Sequence, residues 1–205
     1  DMASLNQLSS STNTLNFVVT YSVVKATELG ALRDKTAGTV NLSATAAISG
    51  TLTEVTSIIG ATDADAAGRT RINGLATAGV TITEPINGAQ AKAIIDLNVA
   101  DGTLTATISS TYRDQVDADG NDIGLDQIAR AGAYTINYAG DVQGRTGTTA
   151  VESIDALNLA TINGLTTVPV NVTSSTLTSN VANIANVTNS FIAAGLGPNA
   201  TAATI

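Results

Sequence analysis

Apolar and polar residues alternate over long stretches of this chain, and a period of two is the signature of a strand with one buried face. From Thr39 to Ser49, Val40, Leu42, Ala44, Ala46 and Ile48 fall on one side, and Thr39, Asn41, Ser43, Thr45 and Ser49 on the other. Ser49-Gly50 then predicts a turn into a second strand, Thr51 to Ile59, completing a hairpin. Ala91, Ala93, Ile95, Leu97 and Val99 alternate up to Asp101-Gly102, a type I′ turn signal, and Leu104, Ala106 and Ile108 alternate with Thr103, Thr105 and Thr107 beyond it. Further strands are predicted at 80–83, 134–138, 157–162 and 168–172.

Segment 15–24 is apolar on both faces, with Leu15, Phe17, Val19, Tyr21 and Val23 on one side and Val18 and Val24 on the other. Two readings stay open for it: a central strand of its own sheet, or a donor strand that enters a neighbour's sheet. Helical spacing is rarer. Leu177, Val181, Ile184, Val187 and Phe191 recur at three- and four-residue steps, Ser174 or Ser175 stands ready to cap, and Gly195 with Pro198 supplies a stop, so one C-terminal helix is expected near 176–194. Short helices are expected at 4–8 and 124–131. The pattern predicts a mainly β chain: an antiparallel β-sandwich, jelly-roll or pilin-like, forming a single domain over 14–205 behind a polar tail, 1–13. Ile72-Asn73-Gly74-Leu75 is echoed by Ile162-Asn163-Gly164-Leu165, either as a duplicated hairpin or by chance.

Composition narrows the chemistry. The chain has no His, Cys or Trp, and 47 of its 205 residues are Ser or Thr. It therefore lacks the side chain that titrates near neutrality, the soft metal ligand and the best stacking surface, so an enzyme is not expected. Only 13% of residues are charged against 43% hydrophobic, which leaves the surface to Thr, Ser, Asn and Gly, as in subunits that hide much of it against neighbours. The net charge of −8 and six scattered arginines, Arg33, Arg69, Arg71, Arg113, Arg130 and Arg145, speak against nucleic acid. No run of about 18 apolar residues exists to span a membrane. Asp at residue 1 fits a mature chain after leader removal, and a piece cut from a longer protein would begin the same way. Sequons at Asn41, Asn171, Asn186 and Asn199 are no more than this Asn, Ser and Thr content gives by chance.

One segment has the layout of an oxygen-ligand loop. With Gln115 at position 1, Asp117 and Asp119 fall at positions 3 and 5, Gly120 at the turn position 6, Ile123 at 8 and Asp126 at 12. Glycine permits the sharp reversal, and the apolar residue anchors the loop. Gln115 to Arg130 resembles an EF-hand-type calcium loop and its following helix, and more nearly the dockerin repeat. The resemblance implies calcium, with Asp117, Asp119, Asp122 and Asp126 as the candidate ligands. Two departures stand against it: Gln115 replaces the usual Asp, and one loop is present where dockerins carry two. The alternative is an acidic, solvated turn. With no imidazole or thiolate to offer, the chain would hold only a hard cation. Tyr134 and Tyr138 share a strand face and read as core residues rather than a sugar platform.

These observations together predict a self-assembling structural subunit of an extracellular filament or surface layer, a homo-oligomer or polymer that takes no small-molecule substrate. Donor-strand exchange through Leu15, Phe17, Val19, Tyr21 and Val23 would supply the contact. A virion or phage-tail structural protein and a calcium-dependent adhesion module are the alternatives.

Overall fold

The computed structural model describes residues 14–43, 46–59, 72–97, 103–142, 153–172 and 176–178. In chain order the elements are β1 (Phe17–Val19), β2 (Val23–Lys25), α1 (Ala26–Asp34), β3 (Val40–Leu42), β4 (Ala47–Gly50), α2 (Leu52–Ile59), β5 (Ile72–Asn73), β6 (Gly79–Ile82), α3 (Gly88–Leu97), β7 (Leu104–Ile108) and β8 (Tyr112–Asp114). They continue with β9 (Ala133–Tyr138), β10 (Gly140–Val142), β11 (Ser153–Asp155), α4 (Ala156–Gly164), β12 (Asn171–Val172) and β13 (Thr176–Thr178); 3-10 turns cover Leu75–Thr77 and Leu125–Gln127. The chain divides into two compact units, 1–84 with 96–105, and 85–95 with 106–205.

In the first unit every ladder is parallel. Phe17 lies beside Val40 and Val40 beside Ile72, so β1, β3 and β5 stack in sequence order. Alongside them Val24, Ile48, Val80 and Leu104 form a second column through β2, β4, β6 and the start of β7. All four of these side chains are buried. Each rung thus repeats strand, short link, strand, and α1 and α2 each follow directly on the second strand of their rung. Burying an aliphatic side chain of this size stabilises by about 1.5–3 kcal/mol, so the column supplies much of the cohesion that aromatic bulk supplies elsewhere.

Local sequence sets the helices. Thr51 and Glu54 form a reciprocal capping box: the Thr51 amide donates to Glu54 Oε2 (2.9 Å) and the Glu54 amide to Thr51 Oγ1 (3.3 Å). Asn87 and Gln90 repeat the device before α3, at 2.9 and 2.8 Å. Asp155 caps α4 by accepting from the Leu157 amide at 2.7 Å. Once helical, the segments bury Val55 and Ile58, or Ala91, Ile94 and Ile95, at three- and four-residue steps.

In the second unit β12 runs parallel to β9, β10 to β8, and β13 to β11. Tyr134, Ile136 and Tyr138 of β9 are fully buried, while Thr135 and Asn137 face solvent. A structural repeat links the units by sequence. Val24-Lys25-Ala26 and Ile154-Asp155-Ala156 open nine-residue helices; Leu29 and Leu32 correspond to Leu159 and Ile162, Thr36 to Thr166, and Val40 to Val170. Thr36 Oγ1 donates to the Leu15 carbonyl (2.6 Å) and accepts from the Gly38 amide (2.8 Å). Thr166 Oγ1 likewise donates to the Tyr134 carbonyl (2.7 Å) and accepts from the Val168 amide (3.0 Å). One threonine thus ties each helix exit to an earlier stretch of chain.

The antiparallel β-sandwich expected from the sequence, jelly-roll or pilin-like, is overturned. The strands pair mostly in parallel, four α-helices are present among the described residues, and the antiparallel bridge between Val116 and Asp122 is an isolated one. Residues 52–59, 91–97 and 157–162 are helical rather than extended, because the caps and the three-and-four spacing prevail over alternation. Segment 39–49 is broken into β3 and β4, each paired in parallel. The Asp101-Gly102 turn, the helix at 4–8 and residues 179–194 of the C-terminal helix lie outside the described residues; 176–178 is a strand, and 124–131 holds only a 3-10 turn. Segment 15–24 contributes to two strands, each at the end of its ladder among the described residues rather than in the middle. The Ile-Asn-Gly-Leu echo is not a duplicated hairpin: the first copy is a strand end with Gly74 at φ 88°, the second closes α4.

Candidate functional site

The first rung presents the chain's principal exposed apolar cluster among the described residues. Leu15, Val18, Tyr21 and Val23 are 51%, 69%, 60% and 56% exposed. The five residues expected to act in assembly divide: Phe17 is half-buried and Val19 belongs to the chain's own core, while Leu15, Tyr21 and Val23 remain at the surface and Val18 joins them. Pairing explains the division. The Phe17 amide donates to the Thr39 carbonyl (2.8 Å) and the Val19 carbonyl accepts from the Ser43 amide (3.1 Å), so β1 spends the hydrogen bonds of Phe17 and Val19 on β3. The alternate residue of a parallel strand, Val18, turns its amide and carbonyl the other way, toward the outer edge. Among the described residues no strand pairs with that edge of β1, nor with the corresponding edge of β2.

Polar side chains order the outer surface of the same ladder. Asn16 Oδ1 accepts from the Thr39 amide (2.9 Å), Asn41 Nδ2 donates to the Phe17 carbonyl (3.4 Å), and Asn73 Nδ2 donates to Asn41 Oδ1 (2.7 Å). Asn171 Nδ2 reaches Asn137 Oδ1 in the second unit at 2.9 Å. The sequon asparagines Asn41 and Asn171 thus use their amides to link neighbouring rungs.

The acidic loop is held by its own backbone. Asp117 Oδ1 accepts from the amides of Asp119 (3.0 Å) and Asn121 (2.9 Å), and Asn121 Nδ2 reaches both carboxylate oxygens. These bonds, that from the Asn121 side chain first, hold the Asp117 carboxyl below its ordinary range. Gly120 sits at φ 83°, the left-handed conformation the turn requires. Gln115 does not point to an ion position: its Oε1 accepts from the Thr111 amide at 2.8 Å. Asp122 accepts from the Gly124 amide (3.0 Å) and Gln127 Nε2 (2.8 Å). Asp119 is exposed, as is Asp126, whose carboxyl is raised by partial burial and then by the charges of Asp122 and Asp114. Among the described residues no three acidic groups gather at metal-ligand geometry. The loop is anchored through Ile123, whose carbonyl accepts from buried Ser110 Oγ (2.5 Å) and from the Gly88 amide (3.0 Å).

Tyr134 and Tyr138 belong to the core. Tyr134 Oη donates to the Arg130 carbonyl (3.1 Å), and burial pushes its phenol up to about 12. Tyr138 Oη donates to Asp141 Oδ1, and Asp141 Oδ2 accepts from the Asp155 amide (2.9 Å), which ties β10 to the cap of α4. Burial, and then Asp141, raises the Tyr138 phenol well above its ordinary value. Thr36, Ser110 and Asp141 were invisible to sequence reasoning, since a lone Thr, Ser or Asp carries no spacing signal.

No helix among the described residues is long and apolar enough to cross a membrane. No protein-family model, no curated protein and no solved structure matches this chain.

Proposed function

We propose that this chain is a structural subunit of an extracellular filament or surface layer, joining copies of itself through the outer edge of its first rung. The observation that carries the reading is the edge of β1 and β2, with which no strand among the described residues pairs, with Val18, Tyr21 and Val23 exposed beside it. An edge strand offers a row of main-chain donors and acceptors, and soluble proteins usually blunt such edges with charge, proline or a bulge. Among the described residues of β1 and β2 the charged side chain is Lys25. Main-chain pairing would supply affinity, and the alternate side chains would set the register. Because 17–19 and 23–25 already pair with β3 and β4, the segment acts as a template for an incoming strand rather than as a strand given away.

The test is sedimentation velocity with negative-stain microscopy on the parent and on Val18→Lys/Val23→Lys. Concentration-dependent polymers in the parent, lost in the variant at unchanged circular dichroism, are expected. A parent that stays monomeric at high concentration, or variant polymers indistinguishable from the parent's, would overturn the proposal.

A further inference from the structure

Ile-Asn-Gly occurs three times, at 72–74, 86–88 and 162–164. Asparagine followed by glycine is the dipeptide most prone to intramolecular deamidation, because no Cβ hinders attack of the following backbone nitrogen on the side-chain amide. The residue before each asparagine is also the same. In an unfolded chain the three sites are therefore chemically equivalent, and any difference between them in the folded protein reports the backbone around each.

The three backbones differ. At Asn87 the following amide is locked: the Gly88 nitrogen donates to the Ile123 carbonyl and to Ser110 Oγ (both 3.0 Å), Gly88 is buried, and Asn87 Oδ1 accepts from the Gln90 amide. At Asn163 the pair lies in the last turn of α4, closed by bonds from the Leu165 amide to the Asn163 and Ile162 carbonyls, so reorienting the peptide means unwinding the helix end. At Asn73 both residues are exposed, the strand ends there, and Gly74 occupies φ 88°, where the peptide is already turned out of the extended ladder. The asparagine side chain is held by one solvent-exposed contact, Nδ2 to Asn41 Oδ1.

We infer that Asn73 is a spontaneous modification site, converting to aspartate and isoaspartate with water as the co-reactant while Asn87 and Asn163 are protected by the fold. The Gly74 nitrogen bonds to Asn73 Cγ and gives up its proton, the Cγ–Nδ2 bond breaks, and Nδ2 leaves as ammonia. Water then opens the five-membered succinimide at either carbonyl. Both products exchange the donor that faces Asn41 Oδ1 for a carboxylate, which repels that oxygen and adds one negative charge to a chain at −8. Isoaspartate also lengthens the backbone by one carbon and so breaks the register of β5 on β3. The site loosens the rung in which it lies as the protein ages.

Folded protein is aged in mildly alkaline buffer and the three sites are quantified by peptide mass mapping, with the same chain in denaturant as reference. In denaturant the three should convert alike. In the folded chain Asn73 should convert at least about tenfold faster than either other site, the protection expected where reaction requires local opening. Conversion of Asn73 no faster than Asn87 or Asn163, including no conversion at all, would overturn the inference.

Discussion

Replacing Thr36 by valine keeps the shape of the side chain and removes only its hydroxyl. That hydroxyl is fully buried, donates to the Leu15 carbonyl at 2.6 Å and accepts from the Gly38 amide at 2.8 Å. Each such bond contributes about 1 kcal/mol net, and stranding a buried N–H costs about 1–3 kcal/mol. The added methyl returns less than about 1 kcal/mol. The expected loss is therefore about 2–3 kcal/mol, which for a chain of this length lowers the melting temperature by about 4–12 °C. Thr36→Ser restores both bonds and loses one methyl, about 1 kcal/mol. Thermal and urea unfolding followed by circular dichroism should rank the proteins parent, serine, valine. Thr166→Val should behave like Thr36→Val. A valine variant within about 0.5 kcal/mol of the parent, or a serine variant as damaged as the valine one, would refute the idea that this hydroxyl fastens the rung.

Two glycines should respond in opposite directions. A side chain at Gly88 would overlap the Gly124 carbonyl oxygen, so Gly88→Ala should cost about 3 kcal/mol, whereas Gly164 has open space around it and Gly164→Ala should stabilise by about 0.5–1 kcal/mol in urea unfolding. In alkaline solution an unfolded tyrosine ionises near 10 but folded Tyr134 only near about 12, so stability should be intact below pH 10 and fall as pH rises through that window. Tyr134→Phe should flatten that fall, and an unchanged slope would contradict the assignment. Calcium titration calorimetry tests the acidic loop. Because the Asp117 oxygens already serve the Asp119 and Asn121 amides, binding no tighter than about millimolar is expected, and micromolar affinity abolished by Asp117→Ala would reverse that view.

The strands that could be read in the sequence are those where alternation stands alone. Leu104, Ala106 and Ile108 point inward and Thr105 and Thr107 outward, as the pattern requires. Alternation misled where it overlapped a helical period in a chain of small residues: Ala91 and Ile95 satisfy both, and the Asn87 and Gln90 cap decides for helix. Thr51-x-x-Glu54 carried the same information. Strand direction was not legible, because parallel pairing joins residues such as Val24 and Ile48 that no turn brings together. At the candidate edge the apolar segment 15–24 could be read, but which side faced inward depended on its split into two strands. In the acidic loop the turn at Gly120 was visible, while the use of Asp117 as an acceptor for its own backbone depends on a geometry that spacing does not contain.

Parallel stacking of rungs is the claim on which the proposed assembly rests, and the cysteine-free chain allows it to be measured directly. Thr81 and Thr105 are partners in register on the outward face of neighbouring strands, with Ser49 next in the same column. Adjacent strands lie about 4.8 Å apart. Nitroxides on Thr81→Cys/Thr105→Cys should therefore show strong dipolar broadening, and a pair on Ser49→Cys/Thr105→Cys, two rungs apart, a weaker effect. Absence of broadening between 81 and 105 would contradict the parallel ladder and the assembly built upon it.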